Sequence, residues 1–311
     1  MKKQILTMAM MAAVMMTAGA MMTACSNDLK DDGMTENPTT ISEPTKVTLT
    51  FSPYDMTAMT RGGDSETEQQ GMGSGRRALT RAAVADFATR LDVWIYQGGQ
   101  EVQAVHQQKT DDGFASLSVT LDKTKTYTLY AVAHKGTDVA TLANGVVSFP
   151  NDKVTHTFFY TSTFSPSETT TLSCQMERIV GNFQVETTDQ TPTGAKDLEL
   201  HIGSSPTAWN VAGYGVQPQD RTATFANVSP RSDGTLALSC FIIAEAEEAV
   251  NYDITLIAYD GSHAIVQQRT FSDVPIRNGY KTLYRGAFFT NQDFTASFTA
   301  TDWQEFDVTT F

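Results

Sequence analysis

From Lys46 onward, apolar residues recur at every second position, and this alternation constrains the fold more than any other feature of the sequence. Successive side chains of a β-strand point to opposite faces, so such alternation indicates strands with one buried face. The clearest examples are the segments KVTLTF, RLDVWIY and SLSVTL. A helical period is almost missing, and the sequence therefore predicts an all-β protein.

Short turn motifs separate the alternating segments. Each contains glycine, which tolerates the positive φ that tight hairpin turns require. The motifs are Gly98-Gly99, Asp112-Gly113, Asn144-Gly145, Asp233-Gly234, Asp260-Gly261 and Asn278-Gly279. Many short strands joined in this way are typical of β-sandwiches of Greek-key type. Short helices are expected only in RAAVADFATR and near GTDVATLANG.

A segment without periodicity, TSTFSPSETTT at residues 161–171, divides the alternating region. We place a domain boundary there, which predicts two tandem β-sandwich domains at residues 46–165 and 166–311. Each has a usual size for one sandwich. A polar, glycine-rich loop at residues 52–89, containing several arginines, interrupts the first domain.

The N-terminus is typical of an exported protein. Two lysines precede a moderately apolar run, and residues 1–24 are therefore expected to be a signal peptide. The segment Met22-Thr23-Ala24-Cys25 resembles a bacterial lipobox, in which the cysteine becomes the lipidated N-terminus. Residues 25–45 are acidic and contain proline, as expected of a flexible tether between the lipid and the folded domains.

Composition and motifs argue against several classes of function. The formal net charge of −13 and the scattered basic residues exclude a nucleic-acid partner. The histidines show no metal-ligand spacing, and no nucleophile elbow, P-loop or dinucleotide motif occurs. We therefore expect no catalytic residue, metal or cofactor, although a carboxylate pair brought together from distant strands would leave no local motif.

Two sets of residues leave alternatives open. Cys174 and Cys240 are in phase with apolar neighbours, which favours buried free thiols, while an exported location also permits a disulfide. Aromatic residues could form a sugar-binding platform, or they could belong to strands that are buried on both faces. The aromatic candidates are Trp94, Tyr96, Trp209, Tyr214 and Tyr259.

Together, the lipobox cysteine, the VTLTF strand, the arginine-bearing loop and the segments LDVWIYQGGQEV, YTLYAVAHKG, MERIVGNFQVE and TATDWQEFDVTTF resemble the fimbrillin-type fimbrial subunits of Bacteroidetes. The resemblance spans nearly the whole chain after the signal. It implies two transthyretin-like β-sandwich domains, a lipoprotein precursor at the cell surface or outer membrane, and other fimbrial subunits as partners.

The resemblance also implies a route of assembly. In stalk subunits a trypsin-like protease cuts after an arginine and removes the first strand, which a strand of another subunit replaces. Here the lost strand would carry Val47, Leu49 and Phe51, and the cut would follow Arg81 or Arg61, with Arg76-Arg77 as a further option. In an anchor subunit the strand and the lipid would stay.

The end of the chain has two interpretations. It is either the last strand of the second domain or a segment donated to a neighbouring subunit. Its candidate strand residues are Trp303, Phe306, Val308 and Phe311.

Overall fold

The computed structural model describes residues 42–53, 83–246, 248–290 and 293–299. The chain divides into two units, residues 1–41 and residues 42–311, and every described residue lies in the second. Nearly all of its regular structure is β, which confirms the predicted fold class.

The described strands, in chain order, are β1 (Pro44–Pro53), β2 (Arg90–Gln97), β3 (Gln100–Gln108), β4 (Ser116–Asp122), β5 (Tyr127–His134), β6 (Thr141–Ala143), β7 (Val146–Ser148), β8 (Thr157–Phe164), β9 (Thr171–Arg178), β10 (Gly181–Thr187), β11 (Asp197–Asn210), β12 (Tyr214–Phe225), β13 (Ala237–Ile242), β14 (Val250–Tyr259), β15 (Ile265–Ile276), β16 (Lys281–Gly286) and β17 (Phe294–Thr299). A short helix, α1 (Val84–Phe87), precedes β2, and a 3-10 turn (Pro150–Asp152) follows β7.

These strands form three sheets. The first has seven strands in the order β3-β2-β5-β8-β9-β1-β4. The second has six, with the path β15-β14-β11-β7-β6 and β12 paired to the free side of β11. The third has four strands in the order β13-β10-β16-β17. Most neighbouring pairs are antiparallel, but β1 runs parallel to β9 and β10 runs parallel to β16.

Three clusters of buried side chains form the core. One lies inside the seven-stranded sheet, where strands such as β4 alternate strictly between buried and exposed residues. The second joins the four-stranded and six-stranded sheets. The third contains residues from all three sheets, including Trp94, Trp209 and Phe241. The period-two pattern therefore predicts the buried face correctly in strands such as β1 and β4, which pack one face on a core.

The local predictions succeed at two hairpins and fail at one helix. Gly98 and Gly99 have positive φ between β2 and β3, and Asn144 and Gly145 have positive φ between β6 and β7, as hairpin turns require. The predicted helix near GTDVATLANG is wrong, because this segment forms the β6–β7 hairpin, which pairs with β11. The other predicted helix is confirmed as the single turn α1.

The predicted division into residues 46–165 and 166–311 stays a prediction. Three strand pairs of the described residues cross that position: β9 pairs with β1 and with β8, and β7 pairs with β11.

Candidate functional site

The first strand, β1, lies in a slot between β4 and β9. It pairs antiparallel with β4 from Pro44 to Thr50 and parallel with β9 from Thr48 to Pro53. The Thr48 amide donates to the Thr170 carbonyl at 2.9 Å, and the Phe51 amide donates to the Ala115 carbonyl at 2.9 Å. Both edges of β1 are therefore used, although its partners lie far away in sequence.

Three apolar side chains of β1 fill the bottom of this slot. Val47 and Leu49 are fully buried and Phe51 is 4% exposed. All three belong to the first core cluster, opposite Val119 and Leu117 of β4. Burial of such side chains contributes about 1.5–3 kcal/mol each, so the three together stabilise the strand by roughly 5–9 kcal/mol. Without β1, the slot would be an apolar groove bordered by unpaired backbone groups.

Polar contacts hold the outward side and the start of β1. Glu43 forms an ion pair with Lys123, and its carbonyl accepts the Lys123 amide at 2.8 Å. The hydroxyl oxygens of Thr48 and Ser118 lie 3.5 Å apart. These contacts are exposed, so each contributes little compared with the buried face.

Most of the other predicted site residues lie outside the described residues. These are Cys25, Arg61, Arg81, Trp303, Phe306, Val308 and Phe311. The last described strand, β17, pairs antiparallel with β16 and is exposed along most of its length.

The two described cysteines are buried free thiols. Cys174 belongs to the first core cluster and Cys240 to the second. Burial raises the pKa of each thiol to about 12, so neither is a ready nucleophile at neutral pH.

The aromatic candidates are mostly buried and do not form an exposed platform. Trp94 is 4%, Trp209 is 5% and Tyr259 is 9% exposed, whereas Tyr214 is 43% exposed. Trp94 is buried because β2 is covered on both faces, with the first core cluster on one side and the third on the other, and Trp209 on β11 also belongs to the third cluster. Sugar stacking on the two tryptophans is therefore excluded in this conformation.

A buried carboxylate that the sequence analysis missed connects three strands of the first sheet. Asp92 on β2 accepts hydrogen bonds from His106 on β3 at 2.9 Å, from His134 on β5 at 3.1 Å and from the Ala140 amide at 2.9 Å. Burial alone would raise the pKa of Asp92, but these hydrogen bonds together lower it. The Gly136 amide donates to His134 Nδ1 at 3.1 Å, which places the His134 proton on the nitrogen facing Asp92.

The geometry of this cluster is that of a structural hydrogen-bond network that links neighbouring strands. In the described part of the chain, no hydroxyl or thiol side chain hydrogen-bonds to either imidazole, so no nucleophile accompanies the carboxylate. The one sequence signal was an aspartate inside the apolar segment RLDVWIY. Such a residue must be paired when it is buried.

The described residues contain no group of three or more His, Cys, Asp or Glu side chains that could hold a metal ion. None of their helices is long and apolar enough to cross a membrane.

Comparison with solved structures shows where this fold occurs. A candidate adhesin from Bacteroides thetaiotaomicron has a TM-score of 0.51 at 10% identity, covering 84% of this chain and 98% of that one. A candidate adhesin from Bacteroides ovatus has a TM-score of 0.50 at 12% identity, covering 82% and 94%. The fimbrial anchor protein Mfa2 from Porphyromonas gingivalis has a TM-score of 0.45 at 11% identity, covering 83% and 98%.

At these identities the first two comparisons show a shared fold. The expected likeness to Bacteroidetes surface proteins is thus confirmed at the level of the fold. No curated protein matches the chain by sequence. Residues 38–307 match a sequence family, which covers most of the chain. The chain therefore belongs to the family of unknown function DUF6562.

Proposed function

We propose that the chain is a non-enzymatic structural subunit of a cell-surface fimbria. It is exported as a lipoprotein through Cys25 and assembles with other fimbrial subunits by strand exchange, as a stalk or a base subunit. The shared fold with Bacteroides candidate adhesins supports a surface role. Two tandem β-sandwich domains, meeting near residues 165 and 166, are part of the proposal.

The observation that carries this proposal is the slot of β1. A strand between β4 and β9 satisfies the backbone groups of both neighbours and buries three apolar side chains. A strand with the same apolar period from another subunit would pair with the same backbone groups and bury its side chains in the same groove. This is the physical basis of β-augmentation. The slot is therefore suited to accept either its own strand or one from a neighbour.

Cleavage in the arginine-bearing segment determines which strand occupies the slot. Arg61 and Arg81 lie between β1 and β2 in the sequence, so cleavage after either residue leaves β1 attached only by noncovalent contacts. In a stalk subunit β1 leaves together with lipidated Cys25. In a base subunit β1 stays, and the lipid holds the fibre on the outer membrane.

The C-terminal residues keep two possible roles in this scheme. Trp303, Phe306, Val308 and Phe311 form either a last strand or a segment donated to the next subunit.

N-terminal analysis of the protein taken from cells tests the proposal and separates its two roles. A start at Ala82 or Gly62 supports a stalk subunit, and a start at lipidated Cys25 supports a base subunit. The proposal is wrong if the arginine-cleaved protein stays strictly monomeric and no fibre contains the chain.

A further inference from the structure

A second cleft lies away from the β1 slot, beside β12 of the six-stranded sheet. It has a volume of about 390 Å³ and is lined by Arg221 and Gln219 of β12, by Cys240 and Phe241 of β13, and by the 3-10 turn with the adjoining Lys153. A volume of this size suits a small ligand.

Arg221 carries a charge that no acidic side chain neutralises at close range. Among the described residues, no carboxylate oxygen lies within 4.0 Å of its guanidinium, whereas Arg285 pairs with Glu186 at 3.7 Å. Its one hydrogen bond is a long contact of 3.5 Å from NH1 to the Phe241 carbonyl. Most of its five N–H donors are therefore available.

Partial burial makes this lack of a partner costly. Desolvation lowers the pKa of Arg221, and the electrostatic influence of Cys240 and of the Asp152 carboxylate offsets this only in part. Arg221 is half-buried, and a partly desolvated charge without a close counter-ion is less favourable than a fully solvated one. A guanidinium kept at the wall of a cleft is instead suited to bind an anion from solution.

The rim of the cleft indicates which anion fits. Lys153 adds a positive charge and Asp152 a negative one, while Asp220 at the edge of the cleft already accepts a hydrogen bond from the Ser204 amide at 2.9 Å. A doubly charged phosphate would be repelled by the two aspartates, but a single carboxylate can pair with Arg221 in bidentate geometry. The remaining rim groups are amides, carboxylates and a hydroxyl, which can exchange hydrogen bonds with sugar hydroxyls.

We propose that this cleft binds the carboxylate of an acidic sugar, a hexuronate, with Arg221 as the anchoring residue. Asp152 and Gln219 contact the hydroxyl groups of the sugar ring. This activity goes beyond a structural role in a fimbria, because it uses a cleft that β1 does not border.

Isothermal titration of the purified full-length chain tests the proposal. We expect saturable binding of glucuronate or galacturonate that weakens as salt rises, and no comparable binding of glucose or galactose. Arg221→Met should weaken hexuronate binding about tenfold or more, because it removes a charge-assisted pair. The matched control Arg285→Met removes a surface guanidinium outside the cleft and should leave the affinity unchanged.

Three results would overturn the proposal: no hexuronate binding, equal binding of the neutral sugars, or an Arg221→Met variant that binds like the wild type. Sulfate or inorganic phosphate that binds as tightly as hexuronate, in an Arg221-dependent manner, would refute carboxylate selectivity. If Arg221→Met does not fold, the methyl ester of glucuronate tests the same point with the wild-type chain. The ester keeps the sugar ring but loses the charge, and it should not bind.

Discussion

A disulfide between β1 and β4 would lock the first strand in its own slot. Thr48 and Ser118 are paired directly across the two antiparallel strands, and their hydroxyl oxygens lie 3.5 Å apart. Cysteines at these positions, Thr48→Cys with Ser118→Cys, would bring their sulfur atoms within bonding reach. Both natural thiols in the described residues are buried with raised pKa values, so they should not compete for oxidation.

The cross-link has an expected effect on stability. It closes a loop of about 70 residues, and the loss of chain entropy in the unfolded state corresponds to about 4 kcal/mol. For a unit of this size, that gain raises the melting temperature by roughly 10 °C. Thermal unfolding of the oxidised and reduced forms measures this difference.

The same variant tests strand exchange. After cleavage in the arginine-bearing segment, the reduced form can release β1, whereas the oxidised form keeps it covalently attached to β4. Light scattering and electron microscopy should therefore show assembly of the cleaved chain only under reducing conditions. The single Thr48→Cys variant should assemble under both conditions. Equal assembly of the oxidised and reduced double variant would refute the exchange of β1.

Three further predictions follow from individual side chains. Leu49→Ala should lower the free energy of unfolding by about 3 kcal/mol in urea titrations, because it leaves a cavity in the first core cluster. Thr50→Ala on the exposed face of the same strand should change the free energy of unfolding by less than about 0.5 kcal/mol. Similar losses for both variants would contradict the claim that the buried face of β1 stabilises the strand in its slot. Asp92→Asn should cost on the order of 2 kcal/mol at neutral pH. Since the folded-state pKa of Asp92 is lowered, its contribution is complete above the unfolded pKa of about 4 and is lost as the pH falls through the folded value, so the wild type and the variant should converge in acid. Replacing all four arginines between β1 and β2, at positions 61, 76, 77 and 81, with Gln should leave the chain uncleaved there by a trypsin-like protease on immunoblots. Continued cleavage in this segment of the variant would contradict a cut after an arginine.

Local sequence patterns predicted the strands and hairpins well. Alternation at Val47, Leu49 and Phe51 marked a buried face, and Gly98-Gly99 marked a hairpin, because both signals depend on a few adjacent residues. The pairing of β1 with β9 could not be predicted in this way. A parallel pair between distant segments has no turn that fixes its register.

The candidate sites were harder to predict because burial depends on the whole fold. The sequence alone does not distinguish a surface from a core position for Trp94, because the residues of the third core cluster that cover it come from distant segments. Asp92 stood out in an apolar segment, but its two histidine partners come from different strands. Arg221 gave no signal at all, because a missing counter-ion is a property of the surrounding structure.

The most direct test of the fimbrial proposal is mass spectrometry of fibres sheared from the cell surface and separated by size. We predict peptides from residues 83–299 in a high-mass fraction that contains other fimbrial subunits. Recovery of the chain only as a monomer, with none of it in any fibre, would contradict the proposal.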